Sequence, residues 1–336
     1  MDGAQFLALR IEDFRLDADG RSQVEAGTLQ FGVRLLPLLG GSLKLGTARI
    51  SDARIRASAL ALGRTGDWTL SLRNEDGLID PDLAGAALFD ALHGALDLLE
   101  RGGTSRITLE NTEIVLADTG RIRSLLIGEA SLSDNGADGL ALSADGTLDG
   151  REVSLRGSAT HEGGTQRITE LHLTVAIAPS EPLVLDSTGM LSTDGSKSRM
   201  GGARIEIRGA ETDGSTPTKL TLAADIDNSV IDLGRRGVVP GDADLDATLL
   251  IGSNKVEIDR LSFATGRSRI EATGAIGPQP REAANGAQPV YRYEFVTQRA
   301  LLAPLDSPDS PTEFSARMAG RFDEATRQLT ADELSV

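Results

Sequence analysis

Side chains able to do chemistry are few in this sequence, and they are poorly spaced for it. The 336 residues include three histidines, His93, His161 and His172, and no cysteine. Without cysteine there can be no disulfide, no thiolate metal site and no thiol nucleophile. None of the histidines belongs to a metal-ligand pattern. His93 falls on the polar side of a helical pattern, where solvation accounts for it, and His161 and His172 fall in strand or turn positions. No Gly-x-Ser-x-Gly elbow supports a hydrolase. No glycine pattern follows a strand and opens a helix to hold nucleotide phosphates. Leu16-Asp17-Ala18-Asp19-Gly20 is faintly similar to a calcium loop. That frame puts Arg15 at the first ligand position and Ala26 at the twelfth, where carboxylates are needed. Carboxylates are plentiful, with 50 Asp and Glu against 34 Lys and Arg, so a pair of them says little about acid–base catalysis. The sequence leads to the expectation of a non-enzyme with no cofactor and no metal.

The elements that would carry any site read mainly as strands. In residues 105–161 apolar side chains alternate with Ser, Thr and charge: Ile107 and Leu109, Ile114 and Leu116, Ala130 and Leu132, Leu140 and Leu142, Val153 and Leu155. A period of two places one kind of side chain on each face of a sheet. Asp118-Thr119-Gly120, Asn135-Gly136, Asp138-Gly139, Asp145-Gly146 and Asp149-Gly150 read as tight turns between these strands. The same rhythm precedes them at Leu7–Ile11, Leu43–Leu45, Ala48–Ile50, Ala53–Ala57 and Trp68–Leu72. Afterwards it recurs at Ile168–Ile177, Leu183–Leu185, Ala203–Ile207, Leu220–Ile226, Leu245–Ile251, Val256–Leu261, Ile270–Ala272, Tyr291–Thr297 and Phe314–Phe322. Further turns are read at Asp19-Gly20, Asp194-Gly195 and Asp213-Gly214.

One stretch breaks the rhythm. Asp80 is a good N-cap and Pro81 a good first helical residue. Leu88, Leu92, Leu96 and Leu99 recur at helical spacing, opposite Asp90, His93, Asp97 and Glu100, and Gly102-Gly103 ends the pattern. This amphipathic helix either packs its Leu face on the sheet or lies as a lid over an apolar groove. The chain divides into an N-terminal β segment (1–79), the helix (80–103), a continuing β-groove (104–276), a loop (277–289) and further strands (290–336) that stop mid-pattern.

Composition sharpens this picture. Hydrophobic residues make up 40% but aromatics only 3%, so the apolar surface is Leu, Ile, Val and Ala, and 38 glycines suit many turns. A net charge of −16 with scattered cations excludes nucleic acid as a partner and suits solubility. No run of about 18 uncharged apolar residues is present, and no basic, then apolar, leader opens the chain. The expectation is a piece of a longer protein. Its fold is mainly β: a long antiparallel, highly twisted sheet curled into an elongated open groove, with one amphipathic helix near 80–102.

Gln30 to Ile55 runs as an apolar strand, a Leu-Pro-Leu-Leu-Gly turn and two short strands, followed by Gly66-Asp67-Trp68. This block resembles the start of AsmA-like proteins. Ile107–Asp118 and Leu148–Gly157 are similar to the YhdP branch of that family, and the likeness extends loosely over residues 5–275. The resemblance implies a bridge-like lipid transfer protein of the YhdP and TamB type. Such a protein is tethered to the inner membrane by an N-terminal helix, which this chain lacks. It spans the periplasm as a β-groove and moves phospholipid toward the outer membrane, where outer-membrane components are further partners. It implies no catalytic residues. The residues expected to face acyl chains are Ile107, Leu109, Leu140, Leu142, Leu155, Ile205, Ile207, Leu220 and Leu222. The alternative is a non-conducting scaffold for outer-membrane biogenesis.

Overall fold

In a computed structural model the chain is described over residues 6–18, 21–34, 45–56, 74–118, 121–136, 139–148, 150–162, 167–179, 201–212, 218–232, 238–279, 289–303, 309–323 and 328–336. The expected strands at Trp68–Leu72 and Leu183–Leu185, the Leu35–Gly41 turn, most of the 277–289 loop, and the turns at Asp19-Gly20, Asp194-Gly195 and Asp213-Gly214 lie outside the described residues.

The protein is mainly β. Among the described residues sixteen strands follow one another in sequence order in a single sheet. They are β1 (Phe6–Ala18), β2 (Arg21–Arg34), β3 (Leu45–Arg56), β4 (Arg106–Asp118), β5 (Arg121–Gly136), β6 (Gly139–Leu148), β7 (Arg151–His161) and β8 (Ile168–Ile177). Then come β9 (Gly202–Ala210), β10 (Lys219–Asp232), β11 (Val238–Leu250), β12 (Val256–Thr265), β13 (Ser268–Gln279), β14 (Val290–Leu302), β15 (Thr312–Asp323) and β16 (Gln328–Ser335). The helix is α1 (Pro81–Gly102). Contacts divide the chain into two units, one of Met1–Ser71 with Leu88–Val175 and the other of Leu72–Ala87 with Ala176–Val336.

Two expectations are corrected. The sheet is not wholly antiparallel: β3 and β4 pair in parallel, Ile50 beside Leu109 and Ile55 beside Ile114. A parallel pair needs a long crossover, and α1 lies within it. Asp145-Gly146 is not a turn. Both residues sit inside β6, opposite Ser154 and Val153 of β7. Gly146 is needed there because a Cβ would collide with the carbonyl of Leu126, where β5 bulges. The true hairpin turns use Gly136 and Gly150, with φ of 70° and 81°.

The helix forms as its sequence dictates. Asp80 Oδ1 accepts from the amides of Asp82 (2.9 Å) and Leu83 (3.3 Å), which no helical carbonyl could satisfy. At the other end Gly103 takes φ of 55°. Its amide donates to Glu100 O and that of Thr104 to Leu99 O, a Schellman closure. The buried stripe is Phe89, Leu92, Leu96 and Leu99, so Phe89 joins the expected leucines while Leu88 is only half-buried.

In the first unit the alternation of apolar and polar residues slips by one at the same level of five successive strands. β1 turns Leu9, Ile11, Phe14 and Leu16 to one face, and β3 turns Ala48, Ile50, Ala53 and Ile55. The step of three in each strand brackets Asp13 and Asp52. In β4 it brackets Asn111. These residues adopt φ of 52°, 55° and 47°. Asp and Asn tolerate this left-handed region, and it re-phases the strand. Register aligns the three with Gly27 of β2 and Gly128 of β5. Asn111 Nδ2 donates to Asp52 Oδ1 at 3.4 Å along this seam. The seam explains why Ile107–Leu109 and Ile114–Leu116 read as two strands yet form one.

Candidate functional site

Register shows how the aliphatic side chains meet. In the first unit Ile107 of β4 pairs with Leu132 of β5, Leu132 with Leu142 of β6, and Leu142 with Gly157 of β7. One step along, Leu109, Ala130, Ala144 and Leu155 form the adjoining row. Toward β1 the rows continue through Ala48, Phe31 and Leu9, and through Ile50, Leu29 and Ile11. Directly opposed residues share a face, so Ile107, Leu109, Leu140, Leu142 and Leu155 stand on one side of the sheet.

The second unit repeats the arrangement. Ile207 of β9 faces Leu222 of β10, which faces Ala247 of β11, then Ile258 of β12, Gly274 of β13, Phe295 of β14 and Met318 of β15. Beside this row run Ile205, Ala224 and Leu245 on one flank and Gly209, Leu220, Leu249 and Val256 on the other. Thus Ile205, Ile207, Leu220 and Leu222 also share a face. The structure gathers the expected residues into two sets, five in one unit and four in the other.

Glycines on this face do not leave it pitted. A Cβ at Gly157 would strike Leu173 and come within 2.8 Å of Leu142 Cδ1, so both leucines lean over the gap. Leu220 fills the space above Gly209, Phe295 that above Gly274 and Tyr293 that above Gly320. The result is an even hydrocarbon surface, as aromatic cover of strand glycines achieves elsewhere. Sequence reasoning missed this role of the aromatics. Both tyrosines lie on β14, with Tyr291 stacked on Phe322 of β15 at 6.1 Å and Tyr293 beside Phe295 at 5.7 Å. Burial, with Asp332 nearby, raises the pKa of Tyr293, whose hydroxyl donates to Thr330 O at 3.1 Å.

This face is only partly covered. Of the nine residues expected to meet acyl chains, Leu140 and Leu220 are buried, and the other seven are half-buried. Among the described residues the large side chains that are fully buried are Leu140, Ile168, Leu171 and Thr112. In the second unit the start of α1 lies over one end of the face. A Cβ at Gly85 would be 2.9 Å from Ile251 Cδ1 and 3.2 Å from Leu249 Cδ2. The Asn254 amide donates to Asp82 Oδ2 (2.8 Å) and the Ile79 amide donates to Tyr291 Oη (2.6 Å). The helix start is therefore packed on the sheet end.

The opposite face is polar and solvated. It carries cross-strand ion pairs such as Arg54–Glu113, Arg156–Asp145 and Arg317–Glu294. Glu206 sits between Arg204 and Arg208, and the Arg204 hydrogen bond is the main cause holding its carboxyl below the usual range. Asp225 of β10 faces Asp244 of β11. Desolvation, then Asp244, raises the Asp225 pKa. A hollow of about 330 Å³ on this side is lined by Glu206, Arg208, Asp246 and Asp259 among others. Among the described residues no group of three or more His, Asp or Glu is placed to hold a metal. The histidines are scattered: His93 is half-buried on α1, His161 half-buried at the end of β7 and His172 exposed on β8. No described helix is long and apolar enough to cross a membrane.

Comparison with protein-family models, curated proteins and solved structures finds no match to this chain.

Proposed function

We propose that the aliphatic sheet face shields the acyl chains of phospholipids and that the protein serves phospholipid transport toward the outer membrane. One observation carries this reading: in-register rows of Leu, Ile, Val and Ala run across successive strands and are only half-buried. Leaving so much hydrocarbon in water is costly unless something apolar lies on it. An acyl chain fits because it needs no directional partner, and the face offers none. Each methylene kept from water is worth about 0.8 kcal/mol, so a chain of about 16 carbons faces a gross barrier of roughly 13 kcal/mol when it leaves a membrane alone. A greasy strip lowers that barrier along its length. The sheet would have to curl into an open groove for headgroups to remain in solvent.

The resemblance to AsmA-like proteins supports the same reading. It implies a periplasmic protein tethered to the inner membrane by an N-terminal helix, with outer-membrane components as further partners. Protein purified gently from cells should carry phospholipid by native mass spectrometry. A photo-crosslinking residue at Leu142 or Leu155 should capture lipid, and Leu155→Asp should abolish capture while circular dichroism stays unchanged. Absence of lipid from every preparation would leave the scaffold role instead.

A further inference from the structure

The first strand of the sheet is an edge whose interruptions are the left-handed Asp13 and an irregularity against β2 at Leu16 and Asp17. Among the described residues β1 pairs only with β2. It is 13 residues long, as long as the strands inside the sheet, and contains neither Pro nor Lys. Exposed edges that stay single are normally short, interrupted or charged on their inward side. Here the inward side chains are Leu9, Ile11, Phe14 and Leu16. Leu9 is 53% exposed and Ile11 38%, whereas Leu29, directly opposite Ile11 on β2, is 7% exposed. Among the described residues the apolar rows therefore end at β1.

We propose that β1 pairs antiparallel with β1 of a second copy of this chain, forming a two-fold symmetric dimer. The charges of the strand argue for this occupant. Setting Arg10 opposite Asp17 of the second copy also sets Glu12 opposite Arg15 of the second copy and Ile11 opposite Leu16 of the second copy. Two-fold symmetry repeats each of these pairs, as an isologous interface requires. The left-handed residue Asp13 lies near the centre, so the outward charges on either side of the phase slip still meet. Shifting the second copy by two residues would put Arg10 against Arg15, so repulsion selects one register. Within a single chain these groups make exposed pairs, Arg10 with Glu12 and Arg15 with Asp17 and Glu25, and none of these is buried. The other edge does not fit a copy of itself. β16 has Asp332 and Glu333 and no cation, so two such edges would set carboxylate against carboxylate. The added strand would cover Leu9, Ile11 and Leu16 while satisfying the free edge amides and carbonyls.

Sedimentation equilibrium on the full 336-residue chain tests this. The wild-type protein should be a dimer. Arg10→Glu should give a monomer with an unchanged circular dichroism spectrum, and Arg10→Glu with Asp17→Arg should restore the dimer by reversing both charges. Should that double variant fold poorly, Glu12→Arg alone and Glu12→Arg with Arg15→Glu supply the same loss and rescue. A monomeric wild type, a dimer indifferent to Arg10→Glu, a folded double variant without rescue, or assemblies larger than a dimer would each overturn the pairing.

Discussion

Leu140 and Leu142 make a direct comparison of closed core with open face. They stand two residues apart on β6 and point to the same side, yet Leu140 is 1% exposed and Leu142 is only half-buried. Truncating a buried leucine costs the transfer free energy of the lost methyl groups plus a cavity term. At Leu140, opposite the buried Ala159 of β7, both terms apply. Leu140→Ala should therefore cost about 3 kcal/mol. At Leu142 the space vacated opens to solvent, so the cavity term vanishes and part of the transfer term with it. Leu142→Ala should cost about 1 kcal/mol. The gap of roughly 2 kcal/mol is well within reach of urea unfolding followed by circular dichroism, provided the slopes agree. The lipid reading adds the reverse ordering for bound phospholipid, with Leu142→Ala losing more than Leu140→Ala. Equal destabilisation at the two sites would show that the face is sealed core, and the argument for an acyl-chain surface would fail.

Other consequences can be checked with the same tools. Asp80→Ala removes the acceptor for two helix amides and should lower stability by about 1 kcal/mol, read as loss of helical signal at lower urea. Asn111→Gly suits its φ of 47° and should be neutral or slightly stabilising, while Asn111→Val should cost about 1–2 kcal/mol, both by thermal midpoint. Asp225 has a raised pKa in the folded state, chiefly from desolvation and Asp244. The folded chain holds that proton more tightly than the unfolded one. Its contribution is thus present at low pH and is lost as pH rises through the carboxylate range and past the raised value. Asp225→Asn should raise the unfolding midpoint at pH 7 and leave it unchanged at pH 3.

The fold class was legible because alternation is a strong signal wherever one face is apolar, as at Leu140, Leu142 and Leu155. The helix was legible because Asp80, Pro81 and Gly103 mark both ends. The parallel join of β3 to β4 was hidden, since strand direction follows from the crossover and leaves no mark in either strand. Asp145-Gly146 misled for a different reason. The pair is written as a turn, but Gly146 is there to clear the Leu126 carbonyl. Asp13 and Asp52 could have been found, because each sits inside a step of three between apolar residues; Asn111 was masked by Thr112, the polar residue that closes its step. The cover over Gly157, Gly209 and Gly274 could not, since it depends on which strands become neighbours.

The line through Asp13, Gly27, Asp52, Asn111 and Gly128 also bears on how these strands find their proper alignment. A sheet woven from plain alternation has poor memory of position: slide one ribbon by two residues and greasy still meets greasy. Here such a slide would carry one backbone kink out of line with the rest and leave the residues between the displaced kink and its neighbours out of phase. The five residues thus act as an index mark, allowing a monotonous Leu, Ile and Ala vocabulary to assemble in a single way.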